Sequence, residues 1–256
     1  MAKRGSHKGS SETGSTLQKG FNPLPWTAVA LLILAGAVIA GVYWNRTATI
    51  KEIRFSGNYF VETEQLKDRV EIPLGVRPDS IDFMVVINKI ERISYVKWAS
   101  IEMEPGGRLI VKITERQPIA LLADGKNKTY VDAEGIRLAL KPGKAVNVPI
   151  VYGFGVDTKS DTLASEEFMN VLDFLVSVKK NPVCDATISE VTWTDEKGIV
   201  ALSHAGEVNL IFGYGEYPTR LKNWEAFYGE VVRTKGLDRM QWVDLRFRNQ
   251  IVTREI

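Results

Sequence analysis

Few residues in this sequence have the types and spacing that catalysis requires, and the clearest pattern is a serine followed three residues later by a lysine. Ser177 and Lys180 fit the S-x-x-K pattern of penicillin-binding enzymes, in which the serine is the nucleophile. The S-D-N and K-T-G sequences that complete such a site do not follow. The pattern lies at the end of an amphipathic segment, where lysines complement a helix dipole, so we interpret it as a helix end.

The other reactive side chains are isolated from one another. His7 and His204 are far apart, and Cys184 is the only cysteine, so the sequence predicts neither a metal site nor a Cys/His pair nor an internal disulfide. Glu115 and Arg116 are adjacent, and adjacent strand residues point to opposite faces, which indicates a structural junction rather than an acid/base pair. The sequence therefore predicts a protein that is not an enzyme and has no cofactor and no small-molecule substrate.

The charges are spread unevenly along the 256 residues. The formal net charge is +2, and hydrophobic residues make up 45% of the chain, which is enough to build a core. One acidic residue, Glu12, and four basic residues precede a long apolar run: Lys3, Arg4, Lys8 and Lys19. The bulk of the protein is near neutral, which argues against a nucleic-acid-binding surface.

The apolar run has the length of a membrane span. No charged residue lies between Phe21 and Asn45. At about 1.5 Å per residue a helix of this length exceeds the roughly 30 Å hydrocarbon core of a bilayer. Trp26 lies at one end and Tyr43 with Trp44 at the other, where amphipathic rings favour the headgroup region.

We therefore predict a single transmembrane helix over residues 24–45, preceded by a disordered tail over residues 1–23. The tail is rich in Ser, Gly and Lys, and it is predicted to stay cytoplasmic because a long downstream domain is translocated largely regardless of its charge. This is the topology of a single-pass type II membrane protein. Two alternatives remain open: a signal peptide cleaved near Val38-Ile39-Ala40, and a buried helix of a soluble core.

Residues 50–117 are predicted to form a compact α+β domain with the element order β-α-α-β-β. Thr63 is the predicted cap of the first helix, and Asp79 or Ser80 that of the second. Two alternating segments then flank a Pro105-Gly106-Gly107 turn, which predicts a hairpin. This order places two helices on one face of a three-stranded sheet.

Residues 118–256 are predicted to form a larger, mixed antiparallel β domain. Two amphipathic helices interrupt its strands, one with a stripe from Phe168 to Val176 and one running from Pro218 to a Lys235-Gly236 stop. The stretch Gln241–Thr253 is predicted to be the terminal strand. Turn dipeptides separate the other strands, at Asp124-Gly125, Glu134-Gly135, Pro142-Gly143, Lys197-Gly198 and Ala205-Gly206.

Four sequence blocks, in this order after the apolar run, resemble those of the bacterial cell division family FtsQ/DivIB. The blocks are Glu115-Arg116-Gln117-Pro118-Ile119-Ala120, Tyr130-Val131-Asp132-Ala133-Glu134-Gly135, Val148-Pro149-Ile150-Val151-Tyr152-Gly153 and Val243-Asp244-Leu245-Arg246-Phe247. Each block is short, and their order and spacing together carry the resemblance, which covers about residues 25–256.

The resemblance implies a fold and a function. In this family the first domain is a POTRA domain and the second is called the β domain. The family is a non-enzymatic scaffold of the division septum, or divisome, and binds FtsL and FtsB (DivIC) in the extracytoplasmic space. The implied location is the cell (inner) membrane at the septum, with the bulk of the chain in the periplasm and with other divisome members as further partners of the POTRA domain.

The resemblance also implies that the terminal strand accepts a segment of FtsB by strand addition. The matching positions are Arg246, Phe247, Asn249, Gln250, Ile251 and Val252. A free strand edge offers N–H and C=O groups to such a segment, an arginine can pair a partner carboxylate, and an aromatic ring can fill a pocket. For Arg246 and Phe247 the alternatives are a solvated charge and a core side chain.

One further binding function remains an alternative, namely a POTRA-bearing export or outer-membrane assembly factor. It would use the same edge-strand contacts on passing chains. Such proteins carry repeated POTRA units and a long β-barrel, for which 256 residues leave too little chain.

Overall fold

The computed structural model describes residues 24–47, 49–125, 127–154, 163, 165–237, 239–248 and 250–255. The chain divides into two compact units, Met1–Ala48 and Thr49–Ile256. The predicted disordered tail, residues 1–23, lies outside the described residues.

The described residues of the first unit form one helix, α1 (Leu24–Thr47). It covers the stretch in which the sequence predicts a membrane span, and its described side chains, from Trp26 to Gly41, are exposed. Measured over the described residues, no helix combines the length and the apolarity that a membrane crossing needs.

The second unit begins with a three-stranded sheet. Its elements are β1 (Glu52–Ser56), α2 (Thr63–Val70), a 3₁₀ turn (Pro78–Ser80), α3 (Phe83–Glu91), β2 (Val96–Glu104) and β3 (Arg108–Glu115). The spatial order is β1-β3-β2, with β1 parallel to β3 and β2 antiparallel to it. The β2–β3 hairpin turns at Pro105, Gly106 and Gly107, where both glycines have positive φ.

The two helix caps differ from the sequence prediction. Thr63 is the first residue of α2, and the cap residue is Glu62, which makes no side-chain cap bond. Asp79 and Ser80 belong to the 3₁₀ turn, and Asp82 caps α3 by accepting hydrogen bonds from the amides of Met84 and Val85. Since Pro78 fixes its own φ at the start of that turn, the chain makes one short turn before α3 begins.

A nine-stranded sheet forms the rest of the unit, in the order β12-β11-β10-β9-β8-β7-β4-β5-β6. Its strands are β4 (Pro118–Asp124), β5 (Asn127–Asp132), β6 (Arg137–Leu138), β7 (Ile150–Tyr152), β8 (Ile188–Thr194), β9 (Gly198–Ser203), β10 (Asn209–Gly213), β11 (Met240–Asp244) and β12 (Val252–Glu255). The helices are α4 (Glu166–Lys179), α5 (Pro182–Thr187), α6 (Tyr217–Phe227), a π-helical segment (Tyr228–Val232) and α7 (Arg233–Lys235).

The sheet contains three parallel pairs, β4–β7, β7–β8 and β10–β11, so it is more mixed than the predicted antiparallel arrangement. A parallel pair needs a crossover, and the chain supplies α4 with α5 between β7 and β8, and α6 with its continuation between β10 and β11. The prediction of an α+β protein with a large mixed sheet and several helices is confirmed.

Side chains alternate between the two faces of the sheet along β8, β9, β10 and β11, and the two faces differ in what covers them. Val191, Ala201, Leu210 and Val243 face the core beneath α4 and α6 and are at most 1% exposed. The residues next to them in sequence point to the opposite face and line an open groove, described below. In its β8–β11 region, the nine-stranded sheet is therefore covered by the described helices on one face, and its other face forms the groove.

The core of the three-stranded sheet continues into the larger sheet. Phe60 and Tyr95, whose rings stack with centroids 4.7 Å apart, belong to the same buried cluster as Tyr130 of β5 and Leu138 of β6. Tyr95 donates its hydroxyl to the carbonyl of Ala139 at 2.7 Å. The two sheets therefore share apolar contacts inside one unit.

Glu115 and Arg116 form the polar part of this junction. The Glu115 carboxylate, in a residue 6% exposed, accepts three backbone N–H groups, from Tyr59, Phe60 and Val61, at 2.9, 2.8 and 2.7 Å. On the opposite side of the strand end, Arg116 pairs with Asp132 at 2.7 Å and with Glu134 at 2.5 Å. These contacts agree with the structural junction that the sequence indicates.

Candidate functional site

The candidate site is the end of the nine-stranded sheet formed by the last two strands. β11 and β12 pair antiparallel, with Asp244 opposite Val252 and Trp242 opposite Arg254. β11 also pairs in parallel with β10, and the amide of Leu245 prolongs that ladder by donating to the carbonyl of Ile211 at 2.9 Å. Among the described residues no strand pairs with the outer side of β12, so this edge carries unpaired backbone groups.

The predicted single strand Gln241–Thr253 is wrong, because it is two strands and a connection. β11 ends at Asp244 and β12 begins at Val252. The edge of the sheet is therefore the four residues of β12, and most of the predicted binding residues precede it.

The structure places the predicted binding residues on both the connection and the edge. Arg246, Phe247 and Gln250 are exposed on the connection, and Asn249 lies outside the described residues. Ile251 is half-buried and packs against the main core, while Val252 is the first residue of β12. Phe247 is 43% exposed, so its ring is available to a partner instead of filling the core.

Arg246 already has an ionic partner within the chain. Its Nε and Nη2 atoms donate to the two carboxylate oxygens of Asp244 at 2.9 and 2.6 Å, and its own amide donates to Asp244 Oδ1 at 3.1 Å. Its aliphatic stem lies so close to Gly213 that a Cβ there would be 2.8 Å from Arg246 Cγ. Arg246 thus holds the start of the connection against β10 and β11 by a bidentate contact.

The pair also sets the charge state of Asp244, which is 4% exposed. Burial alone raises the pKa of Asp244, and the hydrogen bonds from Arg246 outweigh burial, so the pKa lies below its ordinary value of 3.8. The same hydrogen bonds raise the pKa of Arg246. Asp244 is therefore an ionised carboxylate at neutral pH with a fixed counter-ion.

A second ion pair holds the connection in place, and it involves Glu216 at the start of α6. Arg248 pairs with Glu216 at 2.9 Å, and Arg220 approaches the same carboxylate at 3.7 Å. Arg220 also donates to the carbonyl oxygens of Phe212, in β10, and of Tyr214, which follows that strand. These contacts tie the β11–β12 connection to the end of β10.

Beside the edge, a groove of about 440 Å³ crosses the open face of the sheet. Trp242 and Asp244 belong to its lining because they alternate with buried Val243 along β11. Neither residue is among the predicted binding residues, although the alternation of side chains around Val243 directs both away from the core. The lining residues are Thr192, Thr194, Lys197, Val200, Asn209, Ile211, Trp242, Asp244 and Arg246.

Replacing Arg246 by methionine tests the role of the pair. The stem contact with Gly213 is kept, while buried Asp244 loses its counter-ion, so we expect the unfolding free energy at pH 7 to fall by roughly 1 to 3 kcal/mol. A lowered pKa stabilises the fold above the carboxyl's unfolded pKa, and that stabilisation disappears as the pH falls through the folded value. Urea unfolding from pH 7 to pH 3 should therefore show the two proteins converging at acid pH. A difference that stays constant with pH would contradict this role.

The side chains that resemble catalytic groups have structural contacts. The Ser177 hydroxyl donates to the carbonyl of Asp173 at 2.8 Å, one helical turn earlier, and the Lys180 position caps α4. Cys184 is fully buried, and burial raises the pKa of its thiol to about 12. His7 lies outside the described residues. Over the described residues, no three His, Cys, Asp or Glu side chains gather in a way that would hold a metal ion.

Comparison with known proteins shows which family the second half of the chain resembles. The family model described as FtsQ/DivIB, C-terminal related, matches residues 117–254, a range that includes most of the nine-stranded sheet and nearly all of β12. This range exceeds half of the chain.

Relatives named Cell division protein FtsQ extend the similarity towards the N-terminus. The protein from Rhodothermus marinus is 26% identical over 235 residues, which cover 90% of this chain and 85% of the relative. The protein from Salinibacter ruber is 24% identical over 235 residues, covering 87% and 90%. That from Streptomyces coelicolor is 26% identical over 123 residues, covering 48% and 47%. The chain belongs to the FtsQ/DivIB family of cell division proteins.

Proposed function

We propose that this protein is a membrane-anchored, non-enzymatic scaffold of the bacterial divisome, which binds FtsB- and FtsL-type (DivIC) proteins through the outer edge of β12. The observation that carries the proposal is a family match over residues 117–254 that ends on a strand whose outer side is unpaired among the described residues. An extended partner segment would continue the sheet through backbone hydrogen bonds.

β12 suits this role better than the other sheet edges. β6, at the far end of the nine-stranded sheet, has only two residues. β1 and β2, the two edges of the smaller sheet, lie outside residues 117–254, which the family model matches. β12 follows a connection braced by two ion pairs, so a partner finds it in a fixed position.

Specificity would come from side chains next to the edge. Phe247 offers an exposed ring, the residue type favoured at interface centres. Because the Arg246 guanidinium is bound to Asp244, we assign Arg246 to positioning the connection rather than to the direct recognition of a partner carboxylate. Arg248, whose side chain is 81% exposed, is the cation better placed to meet an acidic partner.

The remaining parts of the chain would serve tethering and further binding. The three-stranded sheet with α2 and α3 has the β-α-α-β-β order of a POTRA domain, and we propose that it binds other divisome members. We propose that α1 anchors the protein in the cell (inner) membrane at the septum, with a cytoplasmic N-terminus and a periplasmic bulk. The support is the uncharged run from Phe21 to Asn45 and the exposed apolar side chains of α1.

Depletion of the protein in its host tests this function. We expect cells that elongate into filaments without septa, and restored division when the full chain is expressed again. A Ser177→Ala chain should restore division equally well, because the Ser177 hydroxyl bonds only within its helix. Depleted cells that divide normally would overturn the division role, and failure of the Ser177→Ala chain alone would reopen an enzymatic one.

A further inference from the structure

The point at which the chain enters the second unit is held by backbone hydrogen bonds on two sides. Ile50 is fully buried. Its carbonyl accepts the amide of Gly75 at 2.7 Å, and its amide donates to the carbonyl of Val76 at 2.9 Å. The turn around Leu74 is therefore fixed directly beside the entering chain.

The β2–β3 turn fixes the entering chain from the other side. The amide of Lys51 donates to the carbonyl of Gly107 at 2.7 Å. Gly107 has a φ of +88°, and a Cβ there would lie 2.3 Å from the carbonyl oxygen of Thr49, so only glycine fits. Residues 49–51 thus run between two turns that occupy one end of the unit.

A large apolar side chain projects from this end. Leu74 is 61% exposed, although its backbone neighbours are tied to Ile50. Exposed Pro73 precedes it, and the Arg77 guanidinium, paired with Asp79, follows it. A single exposed leucine is ordinary on a protein surface, and it is the position of Leu74 that gives it meaning.

Covalent geometry limits the distance of this end from a bilayer that contains α1. Arg46 is the first charged residue after the uncharged run, and Ile50 follows four residues later. Four residues extend at most about 14 Å, and the headgroup region is roughly 5 to 8 Å thick on each side of the hydrocarbon core. Ile50 therefore cannot lie more than about 14 Å from Arg46 along the chain.

We infer that the turn Ile72–Arg77 is a lipid-contacting surface whose Leu74 side chain enters the headgroup region of the bilayer. This inference rests on the proposed anchoring by α1. Contact at a second point besides the anchor restricts the tilt of the domain on the membrane, which keeps β12 at a defined orientation to partners in the same membrane.

A fluorescent probe at position 74 tests the contact in the full chain, reconstituted in phosphatidylcholine–phosphatidylglycerol vesicles. Leu74→Cys is labelled with an environment-sensitive dye, and Met169→Cys on α4, 44% exposed, is the matched control. Native Cys184 stays unlabelled because it is fully buried. Circular dichroism checks that both variants are folded.

We expect the dye at position 74 to shift to shorter wavelength and to lose emission when the vesicles contain a lipid with a headgroup nitroxide, while the dye at position 169 keeps its emission. If the protein floats with the vesicles in a density gradient and the nitroxide lipid changes the emission of the two dyes equally, the lipid contact alone is overturned. Protein that does not float with the vesicles would overturn the anchoring proposal as well.

Discussion

A proline at one of two neighbouring positions of β12 should weaken partner binding at least about tenfold without unfolding the protein. Successive residues of an antiparallel edge strand direct their N–H groups alternately towards the neighbouring strand and towards solvent. Thr253 and Arg254 are paired opposite Val243 and Trp242, so one of them presents its N–H outward. Proline at the outward position removes a donor that only a partner would use, and such positions tolerate proline in edge strands.

The two variants, Thr253→Pro and Arg254→Pro, therefore serve as controls for each other. The variant that keeps the wild-type melting temperature should bind the extracytoplasmic segment of its FtsB-type partner at least about tenfold more weakly, because a ladder bond is lost and the ring obstructs the partner strand. The other variant should melt earlier, because it breaks the bond to β11. Calorimetric titration in detergent measures the binding. If both variants are folded and both bind the FtsB-type segment with wild-type affinity, the partner docks elsewhere.

Removing the Glu115 carboxylate should cause the largest loss of stability of any single substitution considered for this protein. In Glu115→Ala, the amides of Phe60 and Val61 are left buried and that of Tyr59 part-buried, all without an acceptor, since the carboxylate is their partner. At roughly 1 to 3 kcal/mol for each unsatisfied buried donor, we expect the unfolding free energy to fall by roughly 3 to 5 kcal/mol. Urea unfolding followed by tryptophan fluorescence measures the change.

Two further variants keep this test decisive. Glu115→Gln retains one acceptor oxygen and should lose about 2 kcal/mol, so it covers the case in which the alanine protein does not fold. Glu102→Gln, on the solvent side of β2 and paired with Lys112, removes an exposed carboxylate and should lose less than about 1 kcal/mol. Equal unfolding midpoints for the Glu115 and Glu102 variants would mean that the junction does not depend on this carboxylate.

Local signals made several elements predictable from sequence. The β2–β3 hairpin follows from alternating side chains on both sides of Pro105-Gly106-Gly107, because proline and two glycines with positive φ leave the chain few other options. The start of α3 was harder, since Asp79, Ser80 and Asp82 are all suitable caps within four residues. Asp79 and Ser80 belong to the 3₁₀ turn that begins at Pro78, so Asp82 is the residue that caps α3.

Strand direction in the larger sheet was not predictable from sequence, because it depends on which strands become neighbours. β7 has only three residues, and its two neighbours, β4 and β8, are distant in sequence and both parallel to it. The turn glycines mark where strands end and carry no information on such pairings. The parallel pairs β7–β8 and β10–β11 are connected by crossovers through α4 and α6, whereas β5 and β6 lie between β4 and β7 in the chain.

The division of the predicted terminal strand into β11 and β12 was not predictable from sequence for a different reason. Between Leu245 and Ile251 the sequence contains no glycine or proline, so nothing local marks the connection. Two ion pairs hold it: Arg246 pairs locally with Asp244, and Arg248 pairs with Glu216, 32 positions away in the chain. The contact of Arg246 with Asp244 is likewise not visible in the sequence pattern, and the binding roles of Arg246 and Phe247 stay predictions.

The most direct test of the docking edge is amide hydrogen exchange of the full chain with and without the FtsB-type segment. If a partner strand pairs with β12, the amides of residues 252–255 that face solvent should exchange more slowly in the complex, while those of β6 at the opposite edge stay unchanged. Protection confined to another part of the sheet, with β12 exchanging at its free rate in a saturated complex, would contradict the account.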